Sequence, residues 1–440
     1  METNTKEKLI LIAGKAKADK RLKFTSLAYL LNENYLLECY QHLKRGKAAG
    51  IDGRTVESYT EEEIKIKLKE TVALLKGKKY HPQPVRRLYI ESGSRKRRPL
   101  GIPSVVDKIV QLGVTGILES IYEPVFLPVS YGFRKGRNPH EALKELNHMI
   151  MGKKINWIVD ADISSFFDTI NHDWLIRMLK ERINDPSLLL IIKRFIKAGV
   201  MEEGKYQKVT EGTPQGGIIS PILANIYLHY VLDLWFEVKA KKRLKGYAQL
   251  IRYADDFVIG TQHRQEAERI VNELGKRFEQ FGLALSREKT RIHEFGRFAA
   301  ENIKKKGGGK PKTFDFLGFT HYCSKTRDGR FAVKVKTSRK RSNRALIAFN
   351  QWIKNIRNRK STKEIWKLIE SKLTGHYNYY GVSGNFASIN RYYRKVRNLT
   401  FKWLNRRTRI KSWNWKGFER YISYYPLPKP KLTYAFYNTW

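Results

Sequence analysis

Two acidic sites stand in strands that otherwise read as apolar. One is Asp255 and Asp256, adjacent in LIRYADDFVIG at 250–260, and the other is Asp160 and Asp162 in WIVDADISSFFD at 157–168. Carboxylates gathered at strand ends repel one another and raise their own pKa values unless cations hold them. Two magnesium ions, with Mn2+ able to substitute, meet that need through hard oxygen donors. A pair of such ions about 4 Å apart activates a 3′ hydroxyl and stabilises a leaving pyrophosphate in nucleotidyl transfer. A lone Asp pair is more simply a type I′ hairpin turn, since Asp is a common turn residue. Two acidic sites of different local topology are not explained that way.

Leu250–Tyr253 and Phe257–Ile259 read as two short strands, rich in branched and aromatic residues, with Asp255 and Asp256 at or near a hairpin tip. In WIVDADISSFFD, alternation sends Asp160 and Asp162 to one face at the end of a buried strand that passes into a helix. Around these, residues 25–80 read as helical, with turn chemistry at GKAAGIDG, 46–53. YHPQPVRRLYIESGSRKRRPLGIP, 80–103, reads as two strands joined by a basic loop at Ser94–Arg98. EGTPQGGIISPILANIYLHYVLD, 211–233, is a Gly-rich turn opening into an apolar helix, and a further helix is expected near 264–281. KKKGGGKPK, 304–312, reads as a basic loop.

The 440 residues carry 86 Lys and Arg against 42 Asp and Glu, a formal charge of +44, with 41% hydrophobic residues. That is a folded polycation, and nucleic acid is its natural partner. No apolar run of about 18 residues occurs, so a membrane is not expected. Cys39 and Cys323 are far apart and in no CxxC pair, which argues against structural zinc and disulfides and fits the cytosol. The N-terminus has an apolar core of only Leu9–Ala13 and reads as a basic arm. Between Lys334 and Arg420 stand 24 Lys and Arg against Glu364, Glu370 and Glu419, and six of the nine tryptophans lie beyond residue 350. Three helical stripes run there: Leu346, Phe349, Ile353 and Ile356; Ile365, Leu368, Ile369 and Leu373, opened by a capping box at Ser361 and Glu364; and Ile389, Tyr393, Val396 and Trp403. The aromatics read as helix core, and the basic faces opposite as contact surface.

Taken in order, KAAGIDG, PVRRLYI, RRPLGIPSVVDKIVQ, SYGFRKGRNPHEAL, VDADISSFFDTINHD, GTPQGGIISPILANIYL, RYADDFVI, GLALSREKT and FDFLGF resemble the successive blocks of group II intron reverse transcriptases and maturases. They cover roughly residues 32–320, and LTGHYNYYG at 373–381 resembles the thumb and maturase region of that family. The resemblance implies an α+β right-hand polymerase, with fingers, a palm built on an antiparallel sheet with the YADD hairpin, and an α-helical thumb. The implied divisions are a basic arm at 1–24, fingers at 25–150, palm at 151–325 with a finger-like helical insertion about 175–215, and thumb/maturase at 326–440. By matching position, Asp162 rather than Asp160 is the first metal ligand, because Phe167 occupies the place of the aromatic that excludes a 2′ hydroxyl. Asp255 and Asp256 complete the site. Arg86 and Arg98 would grip the triphosphate, Gln215 would line the nucleotide pocket, and Lys289 would neutralise phosphate charge. Gly216 would permit close backbone approach; Tyr253 and the tail residues Arg406, Arg407 and Arg409 would touch nucleic acid. At the fingertip this chain has IESGSRKRR where relatives carry a Pro-Lys-Pro-Gly type sequence.

The expected activity is therefore RNA-directed DNA synthesis, with binding of structured intron RNA, assistance to its splicing, and mobility by target-primed reverse transcription. Expected partners are intron RNA, an RNA template with a DNA primer, target DNA and dNTPs, in a bacterial cytoplasm and in reach of the nucleoid. No Cys-pair or His-rich module of the kind relatives use as an HNH endonuclease occurs in these residues, so second-strand cleavage is not expected of them. Two other readings remain open: a related polymerase serving phage defence or another host process, and an RNA-binding splicing chaperone with little polymerase activity.

Overall fold

The computed structural model describes residues 4–91, 97–202, 204–209, 211–213, 216–407 and 413–436, without the side chains of Glu91, Arg97 and Arg98. The expected basic arm is a helix, α1 (Thr5–Ala18), capped by Asn4. Leu9, Ile12 and Ala16 recur at helical spacing and give it an apolar stripe against the interior. Residues 182–185 then lock the end of α1 and the segment after it. Arg182 donates to the Ala16 and Asp19 carbonyls at the end of α1, Phe24 bridges Ile183, and the Asp185 carboxylate accepts from the amides of Leu27, Ala28, Ser187 and Leu188. Helices α2 (Glu33–Gln41) and α3 (Glu61–Lys76) come next.

The basic segment at 80–103 forms the expected two strands, β1 (Val85–Glu91) and β2 (Arg97–Ile102), leading into the mostly buried α4 (Val105–Tyr122) and then α5 (Pro139–Gly152). After β3 (Trp157–Asp162) come α6 (Phe166–Thr169), α7 (His172–Lys180) and α8 (Pro186–Ile196). The stretch expected as a helical insertion also supplies two strands, β4 (Val200–Glu202) and β5 (Lys205–Gln207). They extend the first sheet to the order β2-β1-β4-β5.

The second sheet carries the acids. The apolar helix α9 (Ser220–Leu228) widens into π-helical turns at His229–Asp233 and Trp235–Ala240 before the hairpin of β6 (Ala248–Tyr253) and β7 (Asp256–Thr261). Helix α10 (Arg264–Gln280) and β8 (Arg291–Glu294) complete a sheet of order β6-β7-β3-β8. Its two faces serve different cores. Val159, Ala161, Leu250, Phe257 and Ile259 pack with α9 and α10, whereas Ile158, Ile251 and Val258 pack with α5 and with a third sheet. That third sheet lies beyond α11 (Ala299–Lys305) in the chain and comprises β9 (Phe314–Phe316), β10 (Phe319–Lys325) and β11 (Phe331–Thr337).

The basic tail is a separate helical layer of α12 (Arg339–Ile356), α13 (Thr362–Tyr380), α14 (Phe386–Leu404) and α15 (Trp415–Tyr424) around its own core. The Ser361–Glu364 capping box is present. The stripes differ from expectation by a fraction of a turn: Trp366 is buried where Leu368 is exposed, and Tyr392 rather than Tyr393 is buried beside Ile389 and Val396. Each bundle contact spans more than one row of a helix surface, so a strict stripe misses flanking residues. The molecule is thus an α+β protein whose sheets are antiparallel except where β1 and β4 pair in parallel. Among the described residues no helix is long and apolar enough to cross a membrane.

Candidate active site

The register of β3 against β7 sets Asp162 directly opposite Asp256, so both side chains leave the sheet on one face. Asp160 shares that face, between Val258 on one neighbour and Arg291 on the other. The β6–β7 turn consists of Ala254 and Asp255, while Asp256 already pairs with Tyr253. Asp256 is therefore a strand residue, one step further from the tip than the sequence suggested. Ala254 takes the left-handed region at φ 58.

Both central residues of a turn with positive φ, as type I′ requires, occur instead in FDFLGF. Leu317 and Gly318, at φ 48 and 82, join β9 to β10. A leucine in that conformation costs about 1–2 kcal/mol. Its backbone amide faces the Asp256 carboxylate and favours the charged form, and its carbonyl accepts from the Tyr379 hydroxyl at 2.9 Å. The turn is pinned between the acid and α13.

Asp256 keeps some solvent access but is enclosed on most sides. Burial first, then Asp160, Asp255 and Asp162, push its pKa up to about 7. Asp160 is also raised to about 7, by burial, Asp315 and Asp162, with Arg291 opposing. Such shifts mark negative charge with too little cation around it. Lys289 supplies part: its Nζ lies 2.5 Å from Asp162 Oδ2. The GLALSREKT segment delivers it, because Ser286 N–H donates to the Asp162 carbonyl and Ser164 N–H to the Ala284 carbonyl, both at 2.9 Å, along the end of β3. The Lys289 side chain is largely exposed, so this pair is weak enough for another cation to displace. Among the described residues, no three acidic, histidine or cysteine side chains are gathered closely enough to hold a metal ion as they stand. The donor chemistry fits a hard divalent cation nonetheless: aspartate oxygens, partly enclosed and mutually repelling, one of them on a displaceable ammonium.

Ser165, at φ 45, turns the chain out of β3 into α6, where Phe167 is half-buried with its ring edge-to-face on Phe166 at 5.4 Å. The segment before TPQGG is anchored on that helix. Thr213 N–H donates to the Phe167 carbonyl at 2.7 Å and Gly212 N–H to Ile170 at 2.8 Å; at Gly212, φ 84, a Cβ would lie 2.7 Å from the Phe167 oxygen. Gln215 lies outside the described residues. Gly216, at φ 112, does permit a close approach, but to β2: a Cβ there would sit 2.7 Å from the Gly101 oxygen. Arg86 and its neighbour Arg87 on β1 each bury an Nε without a hydrogen-bond partner, and Arg87 acts electrostatically on Asp168, next to Phe167. Arg98 pairs with Ile90 through the backbone, and its side chain lies outside those described. Tyr253 is half-buried beside Asp256.

Arg406 and Arg407 belong to the helical layer. Arg406, exposed, lies over the Trp403 ring at 5.4 Å. Arg407, half-buried, donates to Thr362 Oγ1 at 2.6 Å and to the Lys360 carbonyl at 3.1 Å, tying the end of α14 to the start of α13. Arg409 lies outside the described residues. Sequence reasoning missed Arg87, the Leu317 turn and Arg252. The last had a signal: an arginine at an inward position of an apolar strand demands buried partners.

Residues 90–321 match the family described as reverse transcriptase (RNA-dependent DNA polymerase). The chain is 34% identical over 442 residues to the group II intron-encoded protein LtrA of Lactococcus lactis subsp. cremoris, covering 83% of this chain and 72% of that protein. It belongs to the group II intron reverse transcriptase/maturase family. It is also 31% identical over 293 residues to the protein YkfC of Escherichia coli (strain K12), covering 59% of this chain and 77% of that one. A shorter similarity, 30% over 141 residues, reaches the nuclear intron maturase 4, mitochondrial, of Arabidopsis thaliana, with 32% of this chain and 17% of that protein covered. Within this family, the matched region contains both acidic strands, the Phe167 helix and the Leu317 turn.

Proposed function

We propose that this reverse transcriptase copies an RNA template into DNA with a two-metal site at Asp162, Asp255 and Asp256, and that it binds structured intron RNA, assists its splicing and supports its mobility by target-primed reverse transcription. The observation that carries the reading is Asp162 facing Asp256 across β3 and β7, with Asp255 on the adjoining turn. On this reading residues 25–150 are fingers, 151–325 palm and 326–440 thumb, and the working site is the cytoplasm, in reach of the nucleoid.

Those three aspartates would hold two magnesium ions, whose chemistry is charge stabilisation of an attacking 3′ oxygen and a leaving pyrophosphate. Lys289, displaced from Asp162, stays close as a partner for phosphate. Arg86 and Arg87, whose Nε atoms lack a hydrogen-bond partner inside the protein, would turn their guanidinium forks to triphosphate oxygens, and the family resemblance assigns Arg98 and Gln215 to the same nucleotide. Phe167 occupies the volume a 2′ hydroxyl would need, and Tyr253 gives the nucleic acid an aromatic neighbour. The basic helices α12–α15 supply phosphate contacts for folded RNA and target DNA.

Primer extension on an RNA template with the four dNTPs tests the reading. Asp255→Asn should lose at least ~10²-fold in rate, the size expected for a lost electrostatic stabiliser. DNA synthesis that continues undiminished in EDTA would refute the metal site.

A further inference from the structure

β6 carries one charged residue into the interior. Ala248, Leu250 and Arg252 alternate onto the face that packs against helices, and Arg252 is fully buried. All five guanidinium N–H groups are used. Nε and Nη2 donate to the two Asp233 oxygens at 2.7 and 2.6 Å, and Nη2 donates again to Ser130 Oγ at 2.7 Å. Nη1 donates to Asn225 Oδ1 at 3.0 Å and to the Ala254 carbonyl at 2.9 Å. Ala254 is the left-handed residue immediately before Asp255.

The surroundings are built for this grip. Asn225 and Asp233 are eight residues apart, about 2.2 turns of α-helix, which would set them roughly 80° apart around its axis. The π-helical turn at His229–Asp233 under-winds the helix between them and brings both side chains to the guanidinium. On the other side the Val129–Gly132 segment runs beside β6, with Arg252 N–H donating to Val129 at 2.8 Å and Tyr131 N–H to Arg252 at 2.9 Å. Asn225 Nδ2 donates to the Gly132 carbonyl at 2.8 Å, and a Cβ on Gly132 would lie 2.3 Å from Ala254 N. The peptide ahead of Asp255 is therefore held by a side chain and pressed by a backbone.

We infer that Arg252 is a positioning residue for Asp255, and that the π-helical turn after α9 exists to hold its guanidinium. Stability does not account for it: a buried ion pair is often replaceable by apolar side chains at no loss, and an inward strand position accepts Leu or Met readily. What an apolar replacement cannot do is hold the Ala254 carbonyl. A carboxylate that must meet a cation and a reacting oxygen tolerates about 0.5 Å of error, so a freed turn costs rate rather than substrate affinity. The inference rests on the polymerase reading above.

The full chain is compared with Arg252→Lys, Ser130→Ala and the double variant Arg252→Met with Asp233→Leu. The measurements are kcat and KM for dNTP in primer extension, the Mg2+ concentration at half-maximal rate, thermal unfolding, and hydrogen–deuterium exchange of the peptide spanning 251–257. Arg252→Lys keeps the charge but loses the fork; its kcat should fall ~10²-fold, and that of Ser130→Ala ~10-fold, for a loosened geometry. In both, KM for dNTP should stay within about twofold, Mg2+ demand should rise several-fold, and the 251–257 peptide should exchange faster without substrate or metal. The double variant should unfold near the wild-type temperature and still be as slow as Arg252→Lys. A double variant with wild-type kcat, Mg2+ demand and exchange overturns the inference alone. If that variant does not fold, Ser130→Ala decides: unchanged kcat and exchange there overturn it. A wild-type chain that makes no DNA overturns the polymerase reading, and the inference with it.

Discussion

Leu317→Gly separates what the backbone does at the β9–β10 turn from what the side chain does. Leu317 holds φ 48, a conformation that costs an L-residue about 1–2 kcal/mol and that glycine adopts freely. Against that gain, glycine loses about 0.5–1 kcal/mol more chain entropy on folding. Removing a half-buried leucine side chain forfeits about 1 kcal/mol of apolar burial. The terms oppose, so stability should stay within about 1 kcal/mol of wild type. The amide that faces Asp256 is kept, so kcat should stay within about threefold. Leu317→Pro is the contrast: its φ is fixed near −65° and it has no N–H. A hydrogen bond to a charged acceptor is worth about 1.5–3 kcal/mol, which corresponds to a rate loss of about 10- to 100-fold. Single-turnover dNTP incorporation on an RNA template, beside thermal unfolding, reads both. If Leu317→Gly unfolds like wild type yet is as slow as Leu317→Pro, the side chain and not the amide matters. A proline variant at full rate would show that Asp256 does not need this turn.

Phe167→Ala should leave a folded protein, since truncating a half-buried ring costs about 2 kcal/mol, while ribonucleotide incorporation relative to dNTP rises at least ~10-fold as the excluded volume opens. Single-nucleotide kinetics with an unchanged preference would return Phe167 to plain packing. In the basic layer, Lys402 and Arg406 are exposed and both lie over the Trp403 ring; changing both to Glu should lower stability by no more than about 1–2 kcal/mol and flatten the slope of log affinity for folded RNA against log salt by roughly 1.5. Arg407→Ala should chiefly lower the unfolding temperature, since its bonds to Thr362 and Lys360 are internal; salt-dependent filter binding that changes equally in both variants would contradict that division.

The strands that carry the acids were legible because period-2 alternation and flanking apolar residues are local signals: WIVDAD alternates onto the two faces the structure uses. The helical tail was legible in outline, including the Ser361 capping box, because amphipathic spacing and capping chemistry are local too. What escaped depends on contacts distant in sequence. The N-terminal arm has a local cap and apolar stripe, but its docking is distant in sequence: Arg182 and Asp185, more than 150 residues on, hold its end and the chain after it. Lys289 read as a phosphate ligand, and its ion pair with Asp162 spans 127 residues. Arg407 carried a charge that composition alone assigns to solvent or phosphate, whereas its donors close a helix junction. Of the two tight turns, Ala254–Asp255 lies where a hairpin tip was expected, whereas Leu317–Gly318 was not singled out, because a leucine gives no signal for the positive φ it adopts.

The distribution of charge gives these details one physical setting. A chain of net +44 attracts any nucleic acid from a distance, yet the face of β3 and β7 bears aspartates whose pKa values are raised by burial and mutual repulsion. A phosphate backbone drawn in by the helical layer meets local repulsion at the acids, where Lys289 alone forms an ion pair with Asp162 among the described residues. Close approach of a primer end there is favoured only when further positive charge accompanies it. On the proposed reading, capture would rest on the basic surface of the helical layer and chemistry on the acidic face of the sheet, two elements with separate hydrophobic cores. On that reading the acidic site would depend on geometry rather than attraction, and a fully buried arginine and a leucine of positive φ do stand next to its two hairpin aspartates.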